Sequence, residues 1–320
     1  MSFSSDIKDE LIRVDCKQCC KKAEIAAILR TGLIFRKTKR KKTLTFITEH
    51  GLLSRYLYTQ IKNVVKKGPE IYGQKTPRLK KHVVYRIDFN NLLDNDEQRS
   101  FLKEIGICLD ADREGIEYHR YDLEDRCCIR AYLRGGFLSV GSLTNPDKSY
   151  HLELNFQNKI IQTEYMSFME YFNLKPKHIT RKSYEIVYIK EGQDIVDYLN
   201  VIGAHNALME MENVRIMKEM RNQVNRIVNC ETANLEKTVN ASVKQVEYIK
   251  YIDSVIGLES LPPALKEIAR LRLENTDASL SELGKMLSPV LSKSGVNHRL
   301  RKIEKISENL KQRNINKETV

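Results

Sequence analysis

An order of elements that occurs twice dominates the sequence up to about residue 204. Residues 5–14 set Ile7, Leu11 and Val14 at helical spacing, and residues 23–31, rich in Ala, Ile and Leu, predict a second helix. Strands are expected at 33–36 and 43–48, separated by the basic turn 37–42. A helix over 52–65 and a strand over 82–89, with Val83, Tyr85 and Ile87 alternating, follow. The order then returns: a helix at 123–134, a strand beginning within 137–143, the turn Asn145-Pro146-Asp147 and a strand at 150–156. A helix at 157–172, a hairpin of 177–183 with 185–189 and a helix at 194–202 close the second set. Each half therefore reads helix, two strands, helix, two strands, helix. Sheets from two such halves, 1–92 and 93–204, can pair about a pseudo-twofold axis, which makes the expected fold class α+β.

The remainder is helical. From 204 to about 253, Leu208, Met211, Val214, Met217, Val224 and Val228 keep spacings of three or four, and this predicts a connector over 205–258 folded as a helical hairpin. Leu261-Pro262-Pro263 breaks the chain and suits a helix start. Three helices, at 264–274, 280–287 and 294–310, make an all-α domain over 259–313, with a polar tail at 314–320.

Charge is unevenly distributed. The formal net charge is +12. Residues 1–88 carry +13, residues 89–259 carry −6 and residues 260–320 carry +5. Two basic ends around an acidic middle suit a polyanionic partner, although lysine-rich surfaces also serve solubility alone. No apolar run approaches the roughly 18–20 residues that span a bilayer. The first ten residues lack a basic start and apolar middle, so a cytoplasmic, nucleoid-associated protein without membrane contact is expected.

The seven cysteines do not form a disulfide framework. Cys16-x-x-Cys19 has the spacing of half a zinc site, but no second pair with that spacing follows, so reduced, mostly buried thiols and no metal are expected. His119, His151 and His205 are scattered. There is no Gly-rich phosphate loop with its Lys-Ser/Thr, no nucleophile elbow, and no cofactor is called for. Gly135-Gly136 fits close helix packing better than a phosphate cradle.

The C-terminal domain carries the clearest constellation. Ser279-x-x-Glu282 is a capping box ahead of Leu280, Leu283 and Leu287. On the last helix Val296, Leu300, Ile303 and Ile306 share one side, and Ser294, Asn297, His298, Arg301 and Lys305 the other. Two helices, a turn and a polar second helix predict a helix-turn-helix on double-stranded DNA; a small bundle with a solvated basic face is the alternative. Arg301 can fork onto guanine and Asn297 onto adenine. Lys293, Arg299, Lys302 and Lys305 are candidates for phosphates, with Ser294 and His298 beside them.

Several segments carry a resemblance. They are Ala131-Tyr-Leu-Arg-Gly-Gly-Phe-Leu-Ser-Val-Gly141, Lys148-Ser-Tyr-His-Leu-Glu-Leu154, Gly203-Ala-His-Asn206, Asn229-Cys-Glu-Thr-Ala-Asn-Leu235 and Ser292-Lys-Ser-Gly-Val-Asn-His-Arg-Leu-Arg301. In them the chain resembles the WhiA family of bacterial sporulation and cell-division regulators, over nearly its whole length. The resemblance implies a LAGLIDADG homing-endonuclease-like domain followed by a helix-turn-helix. In the endonucleases each half ends its motif helix near an acidic residue that binds a divalent cation. Aligned on that motif, this chain has Gly32 and Val140 at the acidic positions, and Leu33 where the first copy should end in glycine. Neither side chain offers an oxygen ligand for a hard cation, so a nuclease is not expected. Glu24 and Asp125, the nearest carboxylates in sequence, are expected to lie well back on their helices and not to reach the interface.

The basic N-terminal stretch Arg36, Lys37, Lys39, Arg40, Lys41 and Lys42 stands open between a retained DNA surface, a protein-partner surface and a solvated one. A monomer is expected, because tandem copies supply the pseudo-twofold pairing and no long heptad or apolar stripe asks for a second subunit. The function so read is a sequence-specific regulator of cell division, chromosome segregation or sporulation. The rival reading is an interaction scaffold with weak, nonspecific DNA binding.

Overall fold

A computed structural model describes residues 2–37, 42–65, 68–75, 83–90, 96–109 and 115–318. The chain divides into two compact units, 1–218 and 219–320. The first unit opens with α1 (Phe3–Leu11), α2 (Gln18–Gly32), β1 (Leu33–Lys37), β2 (Lys42–Thr48), α3 (Gly51–Val65), β3 (Glu70–Lys75) and β4 (Val83–Asp88). A short segment follows, α4 (Asp96–Glu104), β5 (Ile107–Leu109) and β6 (Ile116–Tyr118). The second set is α5 (Arg126–Val140), β7 (Gly141–Leu143), β8 (Leu152–Phe156), α6 (Lys159–Tyr171), β9 (Lys177–Arg181), β10 (Tyr184–Ile189) and α7 (Gly192–Ile202).

The repeat read from the sequence is present. Both four-stranded antiparallel sheets have the same strand order, β1-β2-β4-β3 in one and β7-β8-β10-β9 in the other. Each sheet buries one face: Leu152, Leu154 and Phe156 are buried along β8, while Glu153 and Asn155 between them are half-exposed. The motif helices α2 and α5, fifteen residues each, are buried almost all round because they pack on one another as well as on the sheets. A Cβ on Gly135 would stand 2.3 Å from the Glu24 carbonyl oxygen and 2.9 Å from the Ala27 Cβ. The glycine thus lets the two helix backbones touch. Gly136 does the same for the Tyr165 ring.

Several expectations are corrected. Residues 137–140 are the last turn of α5, not the start of a strand; β7 begins only at Gly141. The order of elements calls for a strand at β3 and a closing helix at α4, but the sequence reading places no residues in them or in β5 and β6; β3 is exposed along its whole length, so it carries no alternating apolar signal. The connector is not a hairpin: α8 is one helix of 52 residues, His205–Ile256. Its start is well defined. Gly203 ends α7 in the left-handed region at φ 89°. The Glu10 carboxylate on α1 then accepts from the Asn206 and Ala207 backbone N–H groups at 2.7 and 3.2 Å. α8 exposes Met217, Met220, Val224, Ile227, Val228 and Leu235, so the apolar stripe held absent when a monomer was expected is there.

The second unit takes the rest of α8, a 3-10 turn at Leu258–Ser260, α9 (Pro263–Glu274), α10 (Leu280–Met286) and α11 (Lys293–Glu318). α11 continues through residues 314–318, where a tail was expected. Among the described residues no helix is long and apolar enough to cross a membrane.

Candidate nucleic-acid interface

Pro263 opens α9 at its first turn, where a missing N–H costs nothing. Leu265, Ile268 and Ala269 of α9, Leu283 of α10, and Val296, Leu300 and Ile303 of α11 form the core, closed by Ile249 and Ile252 of α8. The connection from α9 to α10 winds around one buried cation. Arg272, 2% exposed, donates to the Ala278, Thr276 and Asn275 carbonyls at 2.7, 3.3 and 3.4 Å. Burial without a carboxylate partner among these contacts pulls its pKa down.

α10 starts on the capping box. The Ser279 N–H donates to Glu282 Oε2 at 2.7 Å, and the Glu282 N–H to Ser279 Oγ at 3.3 Å. The Ser279 N–H first, and the Ser279 side chain after it, hold the Glu282 carboxyl below its ordinary pKa. The turn at 287–292 then crosses back over α10 at Gly284, where a Cβ would lie 2.2 Å from the Leu291 carbonyl oxygen. The Leu291 N–H donates to the Gly284 carbonyl at 3.0 Å. Ser292 closes the turn, its Oγ accepting from the Gly295 N–H at 3.3 Å and its carbonyl from the Val296 N–H at 3.0 Å. The turn is longer than the usual three or four residues, and the Leu291–Gly284 bond ties it to α10 where the two cross.

This scaffold sorts the candidate side chains. With Val296, Leu300 and Ile303 buried, Lys293, Ser294, His298, Arg301, Lys302 and Lys305 are exposed and Asn297 is half-exposed. Arg299 departs from the expected phosphate role. It turns back onto α9, where its Nη1 donates to the Ala264 carbonyl at 3.3 Å and stands 3.5 Å from Glu267. The N-terminal end of α11 begins at Lys293 and Ser294, and its positive dipole end suits a phosphate.

The other basic candidates are only partly in view. Arg36 and Lys37 are exposed on β1. Lys39, Arg40 and Lys41 lie outside the described residues, as does the side chain of Lys42. Strand pairing sets Arg36 opposite Thr43, and Arg86 between Ile47 and Tyr72, on the outer face of the first sheet. On the equivalent face of the second sheet, Lys177 and Arg181 share space with Glu153, which stands 3.1 Å from His151.

Gly32 and Val140 are the last residues of α2 and α5. A Cβ on Gly32 would come within 2.2 Å of the buried Phe46 ring and 2.5 Å of Ser139 Oγ, so this position has no room for a carboxylate. Glu24 does reach the helix interface, contrary to expectation, but it is spoken for. Arg134 Nε donates to its Oε2, and the Tyr56 hydroxyl to its Oε1 at 2.5 Å. Burial pushes its carboxyl up, and Arg134 and Tyr56 pull against that. It stands eight residues before Gly32, about 12 Å along the helix axis. Asp125 precedes α5 and is exposed. Among the described residues, the one grouping of three or more acidic, His or Cys side chains close enough to share a cation is a set of four cysteines, Cys19, Cys20, Cys127 and Cys128. The sequence reading missed this set.

Known proteins match the chain along its length. The WhiA N-terminal LAGLIDADG-like domain matches residues 18–108, the WhiA LAGLIDADG-like domain residues 129–221, and the WhiA C-terminal HTH domain residues 224–307. A protein of Ruminiclostridium cellulolyticum described as a probable cell division protein WhiA is 46% identical, over 98% of this chain and 99% of its own. A Clostridium botulinum protein of the same description is 45% identical over 98% and 99%. The crystal structure of full-length DUF199/WhiA from "Thermatoga maritima" is 28% identical, with a TM-score of 0.57, covering 97% of this chain and 99% of that one.

Proposed function

This chain belongs to the WhiA family, and on that premise we propose that it is a sequence-specific DNA-binding regulator of cell division, chromosome segregation or sporulation. The observation that carries the reading is the outer face of α11. Arg301 and Asn297, whose side chains can each form two bonds to a base edge, sit on the face opposite the buried side chains of Val296, Leu300 and Ile303. Lys293, Lys302 and Lys305 surround them with charge for phosphates. In this reading α11 enters the major groove and the first unit adds affinity or recruits a protein partner.

The LAGLIDADG-like unit is silent as a nuclease in the same reading. Phosphodiester hydrolysis with hard cations needs carboxylate oxygens beside the scissile phosphate. Gly32 and Val140 supply none, and Glu24 is held by Arg134. Enrichment of a random duplex pool on the full chain tests the regulatory role. A defined motif is expected; recovery of unbiased sequence favours the scaffold reading instead.

A further inference from the structure

The pseudo-twofold axis that pairs the ends of α2 and α5 also pairs their beginnings. Cys19 and Cys20 are the second and third residues of α2, and Cys127 and Cys128 are the second and third of α5. Equivalent positions of two helices packed side by side meet, and here all four Sγ atoms lie within 4.8 Å of one another. Cys19 Sγ and Cys20 Sγ are 3.9 Å apart. A tetrahedral zinc–thiolate centre, with Zn–S bonds of about 2.3 Å, has S–S edges of about 3.8 Å. We propose that Cys19, Cys20, Cys127 and Cys128 form a binding site for one thiophilic divalent cation of the Zn2+ type, joining the two halves of the LAGLIDADG-like unit.

The surroundings suit such a centre. Cys20 and Cys128 are buried against Ala23 and Ala131, a small apolar wall that excludes water from one side. Cys19 and Cys127 are exposed and give the ion a way in. Two helix N-termini converge on the sulfurs, so two positive dipole ends offset the negative charge of four thiolates. Soft sulfur donors select this class of metal over magnesium or calcium. Disulfides join sulfurs only in pairs, whereas a central ion accounts for the convergence of all four on one point. Cys16, which the sequence spacing had paired with Cys19, is not among the four.

The test uses the full chain, stripped with a chelator under reducing conditions and titrated with Co2+ alone. The expected result is one Co2+ bound per chain, with sulfur-to-metal charge-transfer absorption and the intense visible bands of tetrahedral cobalt, lost when Zn2+ is added. The Cys19→Ser/Cys127→Ser variant alters only exposed thiols, so it keeps the fold and is expected to lose the spectrum. Cys108→Ser/Cys230→Ser, outside the cluster, is expected to keep it. Absence of the tetrahedral spectrum in the wild-type chain overturns the proposal. So does a spectrum that survives in the Cys19→Ser/Cys127→Ser variant, or a reduced chain whose four thiols alkylate equally fast with and without Zn2+.

Discussion

Arg30 on α2 and Glu164 on α6 form an ion pair across the two halves at 2.9 Å, with side-chain exposures of 0% and 3%. It has a reciprocal: Arg134 of the second half pairs with Glu24 of the first. Each half thus lends an arginine to a buried carboxylate of the other. Arg30 also donates to the Tyr132 hydroxyl at 3.0 Å and to the Ile105, Gly106 and His119 carbonyls at 2.9, 3.1 and 2.9 Å. Burial pushes the Glu164 carboxyl up, and Arg30 together with the Tyr132 hydroxyl and Tyr121 N–H bonds pulls against it.

Removing one partner strands the other. Arg30→Met is expected to cost about 3–5 kcal/mol, the range for breaking a buried pair by removing one member. Glu164→Gln should cost less, because its amide oxygen can take the Oε2 position and still accept from the Tyr121 N–H and Arg30, while its NH2 group at the Oε1 position can donate to the Tyr132 hydroxyl oxygen. Urea unfolding of both variants measures the difference. An unfolding midpoint for Arg30→Met equal to that of the wild-type chain removes the network from the account.

These pairs mark how far sequence reading goes. The repeat was legible because each half writes its own local periodicity. The path of the last helices was legible because Ser279-Glu282 and Leu261-Pro262-Pro263 are local signals. What failed was non-local or lacked contrast. Gly135-Gly136 and Phe137 looked like the end of a helix and the start of a strand, yet Gly135 is spent on contact with α2, Gly136 on contact with Tyr165 of α6, and the helix runs on to Val140. β3 is paired only through its backbone, with every side chain exposed. The four-cysteine set was written in the repeat itself: the same residue type stands at the same two positions of α2 and α5. Aligning the two copies along the motif helices would have found it. Helical periodicity sets Arg301 on the polar face and Arg299 beside the buried stripe, but it does not show that Arg299 folds back to Glu267 on another helix.

Restoring acids to the nuclease positions is expected to fail at one of them for steric reasons. Gly32→Asp pushes a Cβ into Phe46, itself only 1% exposed, and should cost about 1–3 kcal/mol from overpacking before any charge is counted. Val140→Asp, at a half-exposed position, should be tolerated. Thermal unfolding separates the two. The wild-type chain is expected to leave supercoiled plasmid intact in magnesium or manganese, and metal-dependent nicking abolished by a substitution in the α2–α5 interface contradicts the silent reading.

The start of α8 offers a separate check. Glu10→Ala removes two carboxylate bonds from the first N–H groups of the helix, with an expected loss of about 1–2 kcal/mol. Hydrogen exchange at Asn206 and Ala207 should accelerate; unchanged protection there contradicts the capping role.

Gly284 tests the turn. Gly284→Ala places a methyl group 2.2 Å from the Leu291 carbonyl oxygen, a backbone atom that cannot swing aside. The expected outcome is weaker DNA binding with faster exchange at Leu291 and Val296, while the first unit keeps its protection. Full binding by Gly284→Ala would show that the crossing of α10 and the turn does not set the position of α11.

The most direct measurement is a salt titration of binding by the full chain to its enriched duplex and to a random duplex, repeated with Arg301→Ala and Lys302→Ala. Phosphate contacts give an affinity that falls steeply with salt on both duplexes, whereas base contacts appear only in the ratio between them. The wild-type chain is expected to prefer the enriched duplex at every salt concentration. Arg301→Ala should lose about 1–3 kcal/mol on that duplex and relax the preference, while Lys302→Ala weakens both about equally and lowers the salt slope. A wild-type chain that binds the two duplexes alike, or variants that behave identically on both, would contradict base reading by α11.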